Sequence, residues 1–131
     1  MGNKKVRSVF KPKHKRLVDK IYATQKGSTE VTLNNMDKLT YYSINYPEKV
    51  NKVATYFHEK IMKQIKKKKY QHIDVSLQAL DVLLSSSPTQ SYNLYAEHFL
   101  VVASQLLATN DQRLQDMATR SVGTQTTQDR H

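Results

Sequence analysis

Apolar residues recur at every third or fourth position over most of this chain, the period of helices that each bury one face. The clearest run is Val50, Val53, Phe57, Ile61 and Ile65. It follows Pro47, whose fixed φ and missing N–H suit a first helical turn. It ends in Lys66, Lys67, Lys68 and Lys69, cations placed where the helix dipole is negative. A helix from 47 to 69 is about 35 Å long at ~1.5 Å per residue. Residues 70–85 repeat the pattern with Ile73, Leu77, Leu80 and Leu84, and Ser85-Ser86-Ser87-Pro88 reads as a turn. Residues 89–108 place Tyr92, Tyr95, Phe99, Val102 and Leu106 on one face, and Leu100, Val101 and Leu107 widen it. This helix is therefore expected to be the most buried.

Asn110 is the expected cap of a last helix that holds Leu114, Met117, Ala118 and Val122. Towards the N-terminus, Pro12 opens a short helix to about Tyr22 with Leu17, Val18 and Ile21 as its apolar stripe. Residues 23–32 read as a loop. Asn34 or Asn35 then caps a helix to about Ile44, with Met36, Leu39, Tyr42 and Ser43 on one side. Asn45-Tyr46-Pro47 breaks it, because the residue before proline is pushed out of the helical region.

Only three glycines and three prolines occur, which favours long helices over a turn-rich β fold. The expected fold class is all-α, a run of antiparallel helix pairs. The pairs 47–84 and 88–122 are of similar length, the period with which an armadillo/HEAT-like α-solenoid starts. Periodicity alone leaves bundle and solenoid both open. The expected organisation is a mobile basic arm over 1–11, a helical domain over 12–122 and a disordered polar tail over 123–131.

Charge sharpens this picture. Residues 1–70 carry 18 Lys/Arg against 5 Asp/Glu, whereas residues 71–131 carry 3 against 6. Lys4, Lys5, Arg7, Lys11, Lys13, Lys15 and Arg16 all precede the first acidic residue, Asp19. Such a one-sided field binds polyanions, either an anionic membrane or nucleic acid. Clusters of 4–8 Lys/Arg attract anionic lipid at roughly 1 kcal/mol per residue. Lys60 and Lys63, with Lys66, Lys67, Lys68 and Lys69, form a second candidate lipid contact, or else a solvated helix end. The alternative, a basic helical nucleic-acid-binding protein, has no recognition-helix or RNA-module signature behind it, so no nucleic acid is expected. Tyr41, Tyr42 and Tyr46 lie at spacings more typical of core or boundary residues than of a base-stacking platform.

Little chemistry is visible. The chain has no cysteine, which excludes disulfides, thiolate zinc sites and S-palmitoylation. His58-Glu59 starts like a metalloprotease helix, but Met62 stands where the second histidine is needed, and His58 then reads as an exposed helical residue. Asp74 and Asp81 lie seven apart on one side of a helix, as a solvated stripe or as partners of a neighbouring helix. No catalytic residue, metal or cofactor is expected, and the chain is not read as an enzyme. Met1-Gly2 makes Gly2 an acylation candidate, although Val6 occupies the position where myristoylation favours Ser or Thr.

Four segments together resemble one family. His14-Lys15-Arg16-Leu17-Val18-Asp19-Lys20-Ile21 is similar to the opening of the rolling-blackout family, also called Eighty-five Requiring Three. Met36-Asp37-Lys38-Leu39-Thr40-Tyr41-Tyr42 with Pro47-Glu48-Lys49-Val50 resembles its next helix and the proline-started successor. Gln78-Ala79-Leu80-Asp81-Val82-Leu83-Leu84 and Leu114-Gln115-Asp116-Met117-Ala118-Thr119-Arg120-Ser121 match in order and spacing.

The resemblance covers about residues 14–122. It implies a helical-repeat scaffold without an active site, on the cytoplasmic face of the plasma membrane. It also implies recruitment of a phosphatidylinositol 4-kinase of type III alpha, through a tetratricopeptide-repeat adaptor and hyccin. In that family the adaptor-binding part lies mostly beyond the segment matched here. Animal members usually anchor through palmitoylated cysteines, so this cysteine-free chain is expected to bind anionic lipid by charge, with Gly2 acylation as an addition. A repeat array also buries each face on the next repeat. The helix over 111–122 is thus expected to leave Leu114, Met117 and Val122 as an apolar edge, with either marginal stability or self-association through it as the consequence.

Overall fold

The computed structural model describes residues 11–22 and 29–129, with side chains except at 29–32, 89–90 and 122–129. The helices are α1 (Lys13–Tyr22), α2 (Thr29–Asn45), α3 (Val50–Lys66), α4 (Tyr70–Ser86), α5 (Thr89–Leu107) and α6 (Gln112–Asp129). A single 3₁₀ turn, Pro47–Lys49, leads into α3. Extensive packing joins α1 to α2 and α3, α3 to α4 and α5, α4 to α2 and α6, and α5 to α4 and α6. Helices near in sequence are thus near in space, and the core grows along the chain rather than closing on itself. This is the start of an all-α armadillo-like solenoid.

The buried side chains follow the helical period. On α3 they are Val50, Val53, Ala54, Phe57 and Ile61, and on α4 Ile73, Leu77, Leu80 and Leu84 with Ala79 and Leu83 between them. Tyr95, Phe99, Val102 and Leu106 fill the layer from α5, and Met36, Leu39 and Tyr42 from α2. Two buried hydroxyl contacts tie the layers together: Ser43 Oγ and Tyr95 Oη lie 2.7 Å apart, and Ser76 Oγ donates to Gln64 Oε1 at 2.9 Å. Burial drives the Tyr95 phenol up to about 12.

Several expectations are corrected. α2 begins at Thr29, so residues 29–32 are helical rather than loop, and Asn34 and Asn35 lie inside the helix rather than capping it. Asn35 instead donates its amide to the Lys20 carbonyl at the end of α1, at 3.2 Å. The α6 cap is Asp111 and not Asn110. Its Oδ1 accepts from the Arg113 and Leu114 amides at 3.0 and 3.4 Å, and Tyr70 donates to its Oδ2.

α6 also continues through Gly123 to Asp129, where a disordered tail was expected. Gln and Thr after Gly123 retain every backbone donor, and a single internal glycine costs only about 1 kcal/mol. Leu114 and Met117 are buried against the preceding helices and form no apolar edge, and the Val122 side chain lies outside the described residues. Nor is α5 buried all round: Leu100, Val101 and Leu107 are exposed. At 3.6 residues per turn Leu100 and Leu107 fall on one flank of the Tyr95–Phe99–Val102–Leu106 stripe and Val101 on the other, beyond its buried arc.

The corner between α3 and α4 is tight. Lys69 N–H donates to the Gln64 carbonyl at 2.9 Å and Lys68 N–H to that of Ile65 at 3.1 Å, a Schellman closure with Lys68 in the left-handed region at φ 53°. Glycine is the residue this position favours, and a Cβ there costs about 1 kcal/mol. Lys68→Gly is therefore expected to raise stability by about 1 kcal/mol. The readout is a higher urea midpoint at unchanged slope. A lower midpoint would mean that the Lys68 side chain contributes more than its backbone conformation costs.

Candidate anion-binding interface

Gly2, Lys4, Lys5 and Arg7, with the rest of 1–10, lie outside the described residues. The other candidate cations are placed by α1, whose ten residues divide into faces. His14, Val18 and Ile21 point into the core, so a histidine joins the expected apolar stripe while Leu17 is only half-buried. Lys15, Asp19 and Tyr22, at spacings of four and three, lie along α3. Arg16 and Lys20 are exposed to solvent.

Asp19 is the hub of the α3 side. It accepts from Tyr56 Oη at 2.8 Å and Lys60 Nζ at 2.8 Å, and Lys11 also pairs with it. Burial pushes the Asp19 carboxyl up, but the bonds from Lys11, Lys60 and Tyr56 outweigh it and hold the group below its ordinary value. Burial and the Asp19 carboxylate push the Tyr56 phenol above its ordinary range. Lys60 also lies 5.3 Å from the Tyr22 ring centre and 5.1 Å from that of Tyr56, and Lys15 5.2 Å from Tyr56. Two of the candidate or neighbouring cations, Lys11 and Lys60, are thus partly compensated inside the fold.

Lys52, Tyr56, Lys60, Lys63 and Lys67 are spaced by 4, 4, 3 and 4, so they form one stripe about 22 Å long. The stripe flanks α1 and borders two concavities. One is lined by His14, Lys15, Lys52, Tyr56 and Glu59. The other is lined by Tyr22, Lys60, Lys63, Gln64, Lys67, Lys69 and His72. Six lysines therefore line the two concavities, with Glu59 in the first and Asp19 paired to Lys60 between α1 and α3.

His14 feels that field. Burial lowers its pKa first, and Lys15, Lys52 and Lys49 lower it further. Lys49 and Lys52 carried no sequence-based assignment, and applying the 3.6 period to lysines as well as to apolar residues would have found Lys52. Of the expected cluster 66–69, Lys67 and Lys69 line the concavity at the α3–α4 corner. Lys68 lies close enough to Asp111 to lower its carboxyl pKa, after the larger effects of Tyr70 and the α6 amides. Lys66 is exposed beside them.

The opposite flank of α1 is aromatic. Lys13 lies 5.7 Å from the Tyr42 ring centre, at a crevice of about 490 Å³ lined by Leu17, Lys38, Tyr41, Tyr42 and Tyr46. Tyr42 is core, but Tyr41 and Tyr46 are exposed, so the expected tyrosine trio is split between core and surface.

The other polar residues considered from sequence fall elsewhere. His58 is half-buried rather than exposed, with its ring edge-on to His98 of α5 at 5.7 Å. Burial and then His58 lower the His98 pKa. Asp74 and Asp81 line a small cavity between α4 and α6 with Met117 and Arg120, and Asp74 accepts from Gln78 at 3.1 Å. Among the described residues no group of three or more His, Asp or Glu is placed to hold a metal ion, and no helix is long and apolar enough to cross a membrane.

Known proteins resemble this chain over most of its length. A family model described as EFR3, armadillo repeat, matches residues 36–126. The chain is 36% identical over 115 residues to the EFR3 homolog cmp44E of Drosophila melanogaster, an alignment covering 87% of this chain and 14% of that protein. It is 33% identical over 112 residues to EFR3 homolog B of Mus musculus, covering 86% and 14%. It is 32% identical over 115 residues to the EFR3 homolog of Caenorhabditis elegans, covering 85% and 13%. The chain thus spans about a seventh of the length of these relatives. No solved structure matches it at a significant level.

Proposed function

The chain belongs to the EFR3 family, and from that premise we propose that it is a peripheral scaffold held by charge against the anionic, cytoplasmic face of the plasma membrane. The observation that carries this reading is the concentration of lysines on α1, α3 and the α3–α4 corner, six of them lining two concavities. Rigid helices fix the backbone positions of those lysines, so contact with lipid phosphates has to order only their side chains. The basic residues Lys4, Lys5 and Arg7 precede α1 in sequence and add to the same field. As part of a larger EFR3-type scaffold, such a segment would serve the recruitment of a phosphatidylinositol 4-kinase of type III alpha through a tetratricopeptide-repeat adaptor and hyccin.

Vesicle sedimentation tests the membrane contact. Binding is expected to phosphatidylserine-containing vesicles and not to phosphatidylcholine alone, with a steep fall as salt rises. Replacing Lys4, Lys5, Arg7, Lys11, Lys13, Lys15 and Arg16 by Ala is expected to cost up to about fivefold in affinity per residue, from ~1 kcal/mol each. Lys11 contributes least, because Asp19 already compensates it. Equal binding to neutral and anionic vesicles, or an unchanged affinity in the substituted chain, would defeat the proposal. Tighter binding to duplex DNA than to the anionic vesicles, in direct competition, would replace it with the nucleic-acid reading.

A further inference from the structure

The two concavities are alike in volume, about 270 Å³ each, and differ in lining; the one at the α3–α4 corner is the more strongly cationic. This corner concavity is open to solvent on one side and has more room than a lone ion needs. Lys60, Lys63, Lys67 and Lys69 line it, and no Asp or Glu does among the described residues. Lys60 is compensated by Asp19, whereas Lys63, Lys67 and Lys69 make no ion pair among the described residues. Three uncompensated ammonium groups around one concavity repel one another and focus a positive potential into it.

The cavity is also built. Lys67 ends α3 and Lys69 precedes α4, and the left-handed Lys68 between them reverses the chain so that both reach the same cavity. A non-glycine residue held in that region stores strain of a kind found at functional sites. The Schellman bonds from Lys67, Lys68 and Lys69 occupy the last carbonyls of α3, which mutes the negative end of its dipole. The first turn of α4, with His72 in it, presents the positive end of a seventeen-residue helix on the same side. The floor is rigid: Tyr22 bonds to Ser76, Ser76 donates to Gln64, and the His72 ring stacks on Tyr22 at 5.8 Å.

We infer that this cavity is a discrete binding site for a phosphomonoester dianion, with Lys63, Lys67 and Lys69 neutralising the phosphate, His72 contributing at the α4 end and Lys60 at the α1 end. A phosphomonoester presents up to two charges and three terminal oxygens to these donors. A carboxylate or a phosphodiester presents one charge and fewer oxygens. The same chemistry comes from a phosphorylated lipid headgroup or from a soluble polyphosphate. The inference extends the membrane reading without depending on it, because a soluble phosphate needs no bilayer.

Two measurements on the full chain test it. Pyrophosphate is titrated by calorimetry, and vesicles containing phosphatidic acid are compared with phosphatidylserine vesicles of matched surface charge. The variant Lys63→Ala/Lys67→Ala/Lys69→Ala is set beside Lys20→Ala/Lys38→Ala/Arg113→Ala, which removes equal charge from other parts of the surface. All six side chains are exposed, so both variants should fold, which far-UV circular dichroism melts verify; Lys63→Glu alone serves as a milder second test.

The cavity variant is expected to lose about tenfold or more in pyrophosphate affinity. The control should stay within about twofold, because exposed charges beyond a Debye length are screened. A preference for phosphatidic acid that the cavity variant abolishes assigns the ligand to a headgroup. Pyrophosphate binding without that preference assigns it to a soluble polyphosphate. Equal losses in the two variants, or neither pyrophosphate binding nor a phosphatidic-acid preference in the unsubstituted chain, overturn the inference. Loss of general phosphatidylserine binding with pyrophosphate binding intact would defeat the membrane reading alone.

Discussion

Phe57→Ala is expected to remove about 3–5 kcal/mol of stability, a large share of the ~5–15 kcal/mol that holds a domain together. Phe57 is 0% exposed and sits midway along α3, the helix packed against α1, α4 and α5 together. Its ring meets that of Tyr22 at 6.5 Å and 60°. Truncation to Ala leaves a void between helices whose backbones are fixed by their own hydrogen bonds, so the site collapses only partly. Loss of the ring also loosens the Tyr22 side chain, which forms part of the floor of the lysine-lined cavity. The contrast variant is Leu100→Ala, at 59% exposure on α5. It is expected to change stability by no more than about 0.5 kcal/mol. Urea unfolding followed by far-UV circular dichroism reads both. A Leu100 cost comparable to that of Phe57 would mean that the outer face of α5 is covered in solution, and a small Phe57 cost would mean that α3 is not central to the core.

The core of this fold was largely legible because burial repeats with the helix. Val50, Val53, Phe57 and Ile61, then Ile73, Leu77, Leu80 and Leu84, then Tyr95, Phe99, Val102 and Leu106 are all buried as their spacing demands. Ends were less legible, since a helix boundary depends on a few local bonds that compete with tertiary packing. Thr29-Glu30-Val31-Thr32 is rich in β-branched residues and reads as non-helical, yet α2 starts there and packs on α1. Asp111 and Asn110 are both sound caps by type, and only the bonds to Arg113, Leu114 and Tyr70 separate them.

The basic interface was legible in amount and not in arrangement. Sequence counts the lysines, but Asp19 reaches Lys60 from 41 residues away and Lys11 from 8 on its other side, and that decides which charges remain available. Likewise the four-lysine run reads as a single patch. The left-handed turn at Lys68 divides it, sending Lys67 and Lys69 towards α1 and Lys68 towards α6.

Acid is expected to unfold this protein in two stages, and the signs follow from the groups that face one another across the helices. His14 is buried among Lys15, Lys49 and Lys52, and His98 lies half-buried against His58 with Glu97 as the opposing influence; both have pKa values below the ordinary 6.5. The folded state therefore prefers them neutral, while the unfolded chain takes up protons near 6.5. Their contribution is complete above that value and is lost as pH falls through the folded values, so stability first declines on acidification below neutrality.

Asp19 and Asp111 act lower, with folded pKa values below the ordinary 3.8. Their contribution is complete above 3.8 and is lost as pH falls through the folded values, when Lys11, Lys60 and Tyr56 lose their shared carboxylate and α6 loses its charged cap. By then the excess of lysine and arginine repels itself without opposition. Thermal melts across this range should show a first fall in Tm below about pH 6.5 and a second, steeper fall below about pH 4. His14→Gln with His98→Gln should flatten the first fall and leave the second, and Asp19→Asn should lower Tm near neutrality while reducing the second. A Tm that rises between neutrality and about pH 5 would reverse the assigned sign of both histidines, and would mean that the lysines around His14 are kept from it by a bound anion or by a different packing of α1.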